Sequence, residues 1–215
     1  MQQAGKLTPN QPNTLTKHAS GNIMLVCSAR LAYVRHTPIY RTFGPVRKSA
    51  RGSERQVVEM KVGIGQDSHR FDFEDTGKKL ILGGVVFEGD PPLKGNSDAD
   101  VILHSITNAI SGVTCVNILG ETADDLCLNK GITDSSVYLR EALKYLEDQK
   151  IVHLSVSIEC KRPKISPRIN DIRKSLSVLL EIPENCIGIT ATSGEELTPF
   201  GQGLGIQVIS IVTVI

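Results

Sequence analysis

The sequence predicts an α/β sandwich, with helices packed on one face of a mixed sheet. Two observations carry that prediction: beyond residue 60, segments of period-two alternation take turns with segments of helical period, and there is no internal repeat. A third narrows it: no apolar run approaches the roughly 20 residues of a membrane-spanning helix. Val62 and Ile64 alternate with glycines and lead into Gln66-Asp67-Ser68-His69, a strand ending in polar groups. Leu80–Phe87 reads as a buried strand or hairpin turning at Gly83-Gly84. The first long helix has Ser97 as cap and Asp100, three residues on, as capping-box acid, with Val101, Ile102, Ile106, Ile110 and Val113 as its apolar stripe. Thr133 or Asp134 caps a second helix, whose inward residues are Val137, Leu139, Ala142, Leu143 and Leu146. Ile151–Cys160 alternates as a strand, and Pro167–Leu180 forms a third helix, closed before Pro183. Ile187–Ala191 and Ile206–Val214 complete the strands, separated by the glycine-rich loop 195–205.

Charge divides the 215-residue chain. Residues 1–53 hold eight Lys or Arg and no Asp or Glu, whereas the remainder carries 16 basic against 23 acidic residues. Residues 1–59 are therefore read as an N-terminal extension without fixed structure, and residues 60–215 as the functional domain. The Arg-rich, hydroxyl-rich and acid-poor extension fits an organelle transit peptide. It equally fits an untranslated upstream stretch, with Met60 as the true start. A basic arm for nucleic acid is disfavoured because the charges are spread out. A start at Met60 implies a bacterial, cytoplasmic protein; a cleaved extension implies the plastid stroma. Five cysteines without C-x-x-C spacing argue against a disulfide scaffold or a Cys-based zinc site. Those in apolar surroundings, such as Val113–Val116, read as small buried hydrophobes. With no Trp and only 4% aromatic residues, the chain lacks stacking platforms for single-stranded nucleic acid. Neither a nucleic acid nor a membrane partner is expected.

Asp67-x-His69 projects a carboxylate and an imidazole from the same face of a strand. His104 stands one turn into the following helix. Two His and one carboxylate with a fourth position open is the ligand set of a catalytic zinc site. Taken alone, Asp67 and His69 bonding each other, and His104 as a satisfied core histidine, explain the residues without a metal. Asp100, at i−4, is placed to orient the His104 imidazole, although capping is its first duty. A second cluster, Thr192-Ser193-Gly194-Glu195, offers hydroxyls and backbone N–H groups for an anion and a carboxylate for a hard cation, or is an ordinary turn. A third, Cys160-Lys161-Arg162-Pro163-Lys164-Ile165-Ser166, is a rigid basic loop suited to phosphate, or plain solvated surface.

Gly63-x-Gly-x-Asp67-x-His69, Asn96-Ser97-Asp98-Ala99-Asp100-Val101-x-x-His104, Arg162-Pro-Lys164 and Ala191-Thr-Ser-Gly-Glu195 occur in one order across residues 61–214. In combination they resemble the 2-C-methyl-D-erythritol 2,4-cyclodiphosphate synthase family of the non-mevalonate isoprenoid pathway. The resemblance implies a ferredoxin-like domain assembling as a homotrimer, with active sites between neighbouring subunits. It implies Zn2+ on Asp67, His69 and His104, and a second divalent cation, Mg2+ or Mn2+, on Glu195. Substrate contacts then fall on Asp67, Ser68, His69, Asn96 and Ser97, on Gly120 and Asp125 at the erythritol side, on Cys160 through Ser166 around the cytidine nucleotide, and on Thr192 through Glu195. The implied reaction is intramolecular: a 2-phosphate oxygen of 4-diphosphocytidyl-2-C-methyl-D-erythritol 2-phosphate attacks the β-phosphorus and CMP leaves. Such a reaction needs positioning and charge neutralisation rather than a protein nucleophile.

The chain departs from the family pattern at several points. Asn96 stands where a His faces the reacting phosphates, and Ser193 replaces its paired Thr; both are carried over as the catalytic pair. Ile118 replaces an Asp of the polyol side, and Asn117–Cys127 keeps little of the usual phosphate-contacting segment. Gln202 and Leu204 replace an Arg and a Glu associated with a central isoprenoid diphosphate pocket. These changes keep two other readings in play: a metal-dependent phosphoesterase on the same scaffold, and a non-catalytic trimeric binding protein.

Overall fold

The computed structural model describes residues 59–75 and 77–215. The reading of residues 1–59 as an extension thus lies, but for Glu59, outside the described residues. Strand β1 (Lys61–Arg70) opens the domain, followed by the hairpin β2 (Leu80–Leu82) and β3 (Val85–Phe87). Helix α1 (Val101–Thr114), short helix α2 (Glu121–Asp124) and α3 (Ser135–Leu143) precede β4 (Ile151–Glu159). Helix α4 (Ile169–Leu180), β5 (Ile187–Thr192) and β6 (Gly205–Val214) complete the order. The main sheet runs β1-β6-β4-β5, with β4 and β5 parallel and the other neighbours antiparallel.

Period-two alternation sets the two faces of this sheet. Leu154, Val156 and Ile158 of β4 pair with Val212, Ser210 and Val208 of β6, and all six are buried. α1 packs against β1 and β6 and α4 against β5, so the helices lie on this one buried face. The opposite face leaves Val62, Ile64, Ile209 and Ile211 exposed. On β1 the buried positions are Gly63 and Gly65, and a Cβ on either would collide with the α1 backbone at Ala109 and Ser105. The glycines let the helix settle directly on the strand, which brings His104 beside the strand's end. A buried hydroxyl pair, Ser105 Oγ to Ser210 Oγ at 2.6 Å, locks the same contact.

Asp100, not Ser97, is the N-cap of α1: its carboxylate accepts from Ile102 N and Leu103 N, both at 3.1 Å. It also accepts from Gly83 N (2.8 Å) and Gly84 N (2.7 Å), tying the helix start to the β2–β3 turn. Those glycines sit at φ +62 and +76, the left-handed geometry a two-residue hairpin needs. Ser97 Oγ accepts only from Ala99 N. Asp134 caps α3 by accepting from Ser136 N at 2.8 Å. Ser166–Arg168 forms a 3-10 turn, so α4 begins at Ile169 rather than at Pro167. α2 and the π-turn Asp125–Asn129 after it were not foreseen from the sequence, where no apolar period marks them. Cys160 is buried as expected, but Cys115 is exposed: it is the left-handed C-cap residue of α1, at φ +61, and faces solvent. Among the described residues no helix is long and apolar enough to cross a membrane.

Candidate metal centre and substrate cavity

Asp67 and His69 project from the last turns of the β1–β6 ladder, opposite Val208 and Ile206, and His104 comes from the first turn of α1. His69 Nε2 and His104 Nδ1 each lie 3.0 Å from Asp67 Oδ2 and 3.4 Å from one another. The sequence-predicted triad therefore converges, one donor atom per residue, within 4.8 Å. The outward nitrogens fix the tautomers. His69 Nδ1–H donates to Lys94 O at 2.7 Å. Ser135 donates its hydroxyl proton to Asp98, so its Oγ accepts from His104 Nε2–H at 2.9 Å. In neutral rings both inward nitrogens are bare lone pairs, facing each other and a carboxylate oxygen. Three such acceptors repel unless a cation lies among them, so the donor set fits a divalent metal with an open fourth position. A proton on the inward nitrogens is the metal-free alternative: burial raises the Asp67 pKa, but the hydrogen bonds and charges that His104 and His69 then direct at it outweigh burial and hold the carboxyl far below its usual range. Burial likewise lowers His69, and the Asp67 carboxylate more than reverses that.

Asp100 leaves the His104 imidazole alone, because all of its acceptor capacity goes to backbone N–H groups. Asp98 takes that place. Sequence reasoning missed it because Ser135, the linking hydroxyl, lies 31 residues from His104.

A cavity of about 300 Å3 opens over the triad. Asn96, Ser97 and Gly120 line it, together with Asn108, Asp124, Cys127 and Tyr138, which the sequence did not single out. Asp125 does not line it: its carboxylate is paired with Lys130 (2.8 Å) and Asn129 Nδ2 (2.8 Å), and its neighbour Asp124 faces the cavity instead. Ser68 falls between the two ligands on β1 and so faces the uncovered side of the sheet. Ile118 is fully in the core, where an aspartate would be costly.

The other two clusters meet each other at the ends of β4 and β5. Cys160 N donates to Thr192 O (3.0 Å), and Lys161 Nζ pairs with Glu196 at 2.9 Å. Pro163 and Ile165 are buried anchors, while Lys161, Arg162, Lys164 and Ser166 are exposed. Thr192 and Ser193 are also exposed, Gly194 N donates to Thr192 Oγ1, and Glu195 sits at φ +50. Burial pushes the Cys160 thiol up to about 12, so this loop offers its backbone and basic side chains rather than a thiolate. Both clusters stand at the same end of the sheet as the triad, the basic loop after the interior strand β4 and the Thr192–Glu195 turn after the opposite edge strand β5. Three strand spacings separate β1 from β5, roughly 14 Å.

The model of the YgbB family matches residues 60–215. The 2-C-methyl-D-erythritol 2,4-cyclodiphosphate synthase of Chlamydia abortus is 53% identical over 155 residues, covering 72% of this chain and 88% of the relative. The IspF of Plasmodium falciparum, solved as a CDP complex, superimposes with a TM-score of 0.60 at 28% identity, covering 73% of this chain and 96% of that one. The bifunctional IspDF of Campylobacter jejuni gives a TM-score of 0.65 at 28% identity over 73% of this chain, and the match spans 42% of that longer protein. With its carboxylate–imidazole triad beside a cavity and its sequence matched from Met60 to the last residue, this chain belongs to the YgbB family, whose relatives at about half identity are 2-C-methyl-D-erythritol 2,4-cyclodiphosphate synthases.

Proposed function

We propose that this chain converts 4-diphosphocytidyl-2-C-methyl-D-erythritol 2-phosphate to 2-C-methyl-D-erythritol 2,4-cyclodiphosphate and CMP, in a homotrimer whose sites form between neighbouring subunits. The observation that carries this reading is the convergence of Asp67, His69 and His104 beside a cavity large enough for a phosphorylated polyol. These three residues would hold Zn2+, and Glu195 would hold a Mg2+ or Mn2+. Bound there, the cations supply polarisation of phosphoryl oxygens and neutralisation of charge. The chain's own groups do the rest. Asn96 donates an amide hydrogen bond to the reacting phosphates, and Ser193 supplies the paired hydroxyl. Lys164 and the N–H groups around Thr192–Glu195 cradle the nucleotide diphosphate. The 2-phosphate oxygen forms a bond to the β-phosphorus as the bond to the CMP oxygen breaks, and no protein nucleophile is needed. Close family members named as synthases favour this reading over a phosphoesterase or a silent binding protein.

Two features support the trimer. The face bearing Val62, Ile64, Ile209 and Ile211 is apolar and uncovered in one chain. The triad on edge strand β1 and the loops after β4 and β5 of one chain also stand two and three strand spacings apart, which fits a second copy supplying the missing half of each site. One parallel pair and helices on a single face support the ferredoxin-like description of each subunit. We take residues 1–59 as an extension outside the catalytic domain and place the enzyme in the cytoplasm; sequencing the mature N-terminus separates this from a cleaved transit peptide and the plastid stroma. Incubation of the purified protein with substrate and Mg2+ tests the function. Cyclic diphosphate and stoichiometric CMP are expected, whereas linear phosphates without the cyclic product contradict it.

A further inference from the structure

We propose that Asp98 and Ser135 are positioning residues that hold His104 in the one tautomer able to bind a metal, an inference that rests on the metal reading above. Asp98 is itself held rigidly. Its Oδ1 accepts from Asp100 N (3.1 Å) and from the Ser135 hydroxyl, its Oδ2 accepts from Ser135 N (3.1 Å), and its own N–H donates to Thr133 O (2.8 Å). Ser135 is the first residue of α3 and is fully buried, so its N–H is one of the helix's unpaired donors and Asp98 satisfies it from outside. With its proton committed to Asp98, the Ser135 oxygen presents only lone pairs to the buried His104 ring, 2.9 Å from Nε2. That forces the ring proton onto Nε2 and leaves Nδ1 bare toward Asp67.

The alternative tautomer explains why the relay matters. With Nδ1 protonated, His104 donates to Asp67 Oδ2 across the 3.0 Å already between them. The proton then fills the space a cation needs and ties up the oxygen lone pair that would bind it. In the observed arrangement that state leaves Nε2 and the Ser135 oxygen as two buried acceptors facing each other, which disfavours it. His69 is oriented oppositely, with Nδ1–H on the Lys94 carbonyl and Nε2 inward. The two imidazoles therefore use different nitrogens, each fixed by its own outward partner, and only the His104 partner is a side chain that mutation can remove.

The test is zinc affinity of the whole protein, measured by competition with a chromophoric chelator, for wild type, Ser135→Ala, Ser135→Thr and Asp98→Asn. Loss of an outer hydrogen-bond partner of a metal-bound histidine typically weakens binding about 10- to 100-fold, and Ser135→Ala is expected in that range. Asp98→Asn is expected to lose less, and Ser135→Thr, which keeps the hydroxyl, to stay near wild type. Melting of the metal-free proteins separates affinity from folding. Because Ser135 is buried, a second readout uses unmutated protein: long-range 15N–1H spectra of the zinc complex should show His104 protonated at Nε2 and His69 at Nδ1. Wild-type zinc affinity in folded Ser135→Ala, or a His104 ring protonated at Nδ1 in the zinc complex, overturns the proposal. Wild type that takes up no zinc overturns the metal reading itself, and the two failures are thereby distinct.

Discussion

The two ends of the candidate site are built in opposite ways. At the β1–α1 end the triad is set into the domain: His104 is 8% exposed, Asp67 and His69 are half-buried, the imidazoles have fixed outward partners, and two glycines bring helix and strand into backbone contact. At the β4–β5 end the basic and hydroxyl side chains are exposed, anchored only by Pro163 and Ile165 and held to each other by surface pairs such as Lys161–Glu196. The difference matches the task proposed for each end. A metal site must exist before the ligand arrives, with its donors held against their mutual repulsion. A diphosphate brings its own charge and orders flexible cations around itself.

The largest expected effect therefore lies at the buried end. Asp67→Ala should lower kcat at least about a thousandfold, near 4 kcal/mol of transition-state stabilisation, while the proposed trimer survives by size-exclusion chromatography with light scattering. Substantial turnover in that variant would remove the role assigned to the triad. Asp100→Ala should damage the same end through folding instead. It strips an acceptor from four backbone N–H groups and is expected to cost about 3–5 kcal/mol in denaturant unfolding, with loss of zinc binding secondary to that. A cost under about 1 kcal/mol would show that water replaces the carboxylate there.

At the exposed end, Lys164→Ala should lower kcat/KM about tenfold with little change in melting temperature, as befits a solvated phosphate contact. Mixing it with Asp67→Ala chains sharpens the comparison. If the two ends of one site come from two chains, random co-assembly restores complete sites and gives about a quarter of wild-type activity, well above the mean of the parents. Activity at that mean would locate both ends in one chain. The smallest effect is chemical. At pH 8 iodoacetamide should label Cys115, which is exposed, and spare Cys160, whose burial pushes its thiol up to about 12 and keeps it protonated. Rapid labelling of Cys160 in folded protein would mean that the loop opens.

The legible parts of this molecule are those that local pattern controls. Alternation located β4 and β6, a Gly-Gly pair located the hairpin turn, and the pattern of Asp67, His69 and His104 picked out three side chains that converge in space. What stayed hidden depends on contacts between distant segments. Asp100 was recognisable as a helix-start acid, but its bonds to Gly83 and Gly84 required the hairpin to be folded beside it. Asp98 and Ser135 act as a pair only because α3 begins where α1 begins, and nothing in either local sequence marks that. Cys127 lines the cavity from a π-turn that no periodicity marks, and Tyr138 from α3, a helix legible in the sequence whose position over the cavity is not. Asp125 shows the converse: a carboxylate one position from the cavity is spent on Lys130, and a one-residue offset moves the lining role to Asp124.

X-ray absorption at the zinc edge of the purified enzyme, with metal content per chain measured on the same sample, is the most direct test. One zinc per chain, bound by two imidazole nitrogens and carboxylate oxygen at about 2.0–2.2 Å, is the expected result, with the nitrogen signal falling by one in His104→Ala. A zinc-free protein that turns over substrate, or a bound zinc whose shell is unchanged when His104 is removed, would contradict the account.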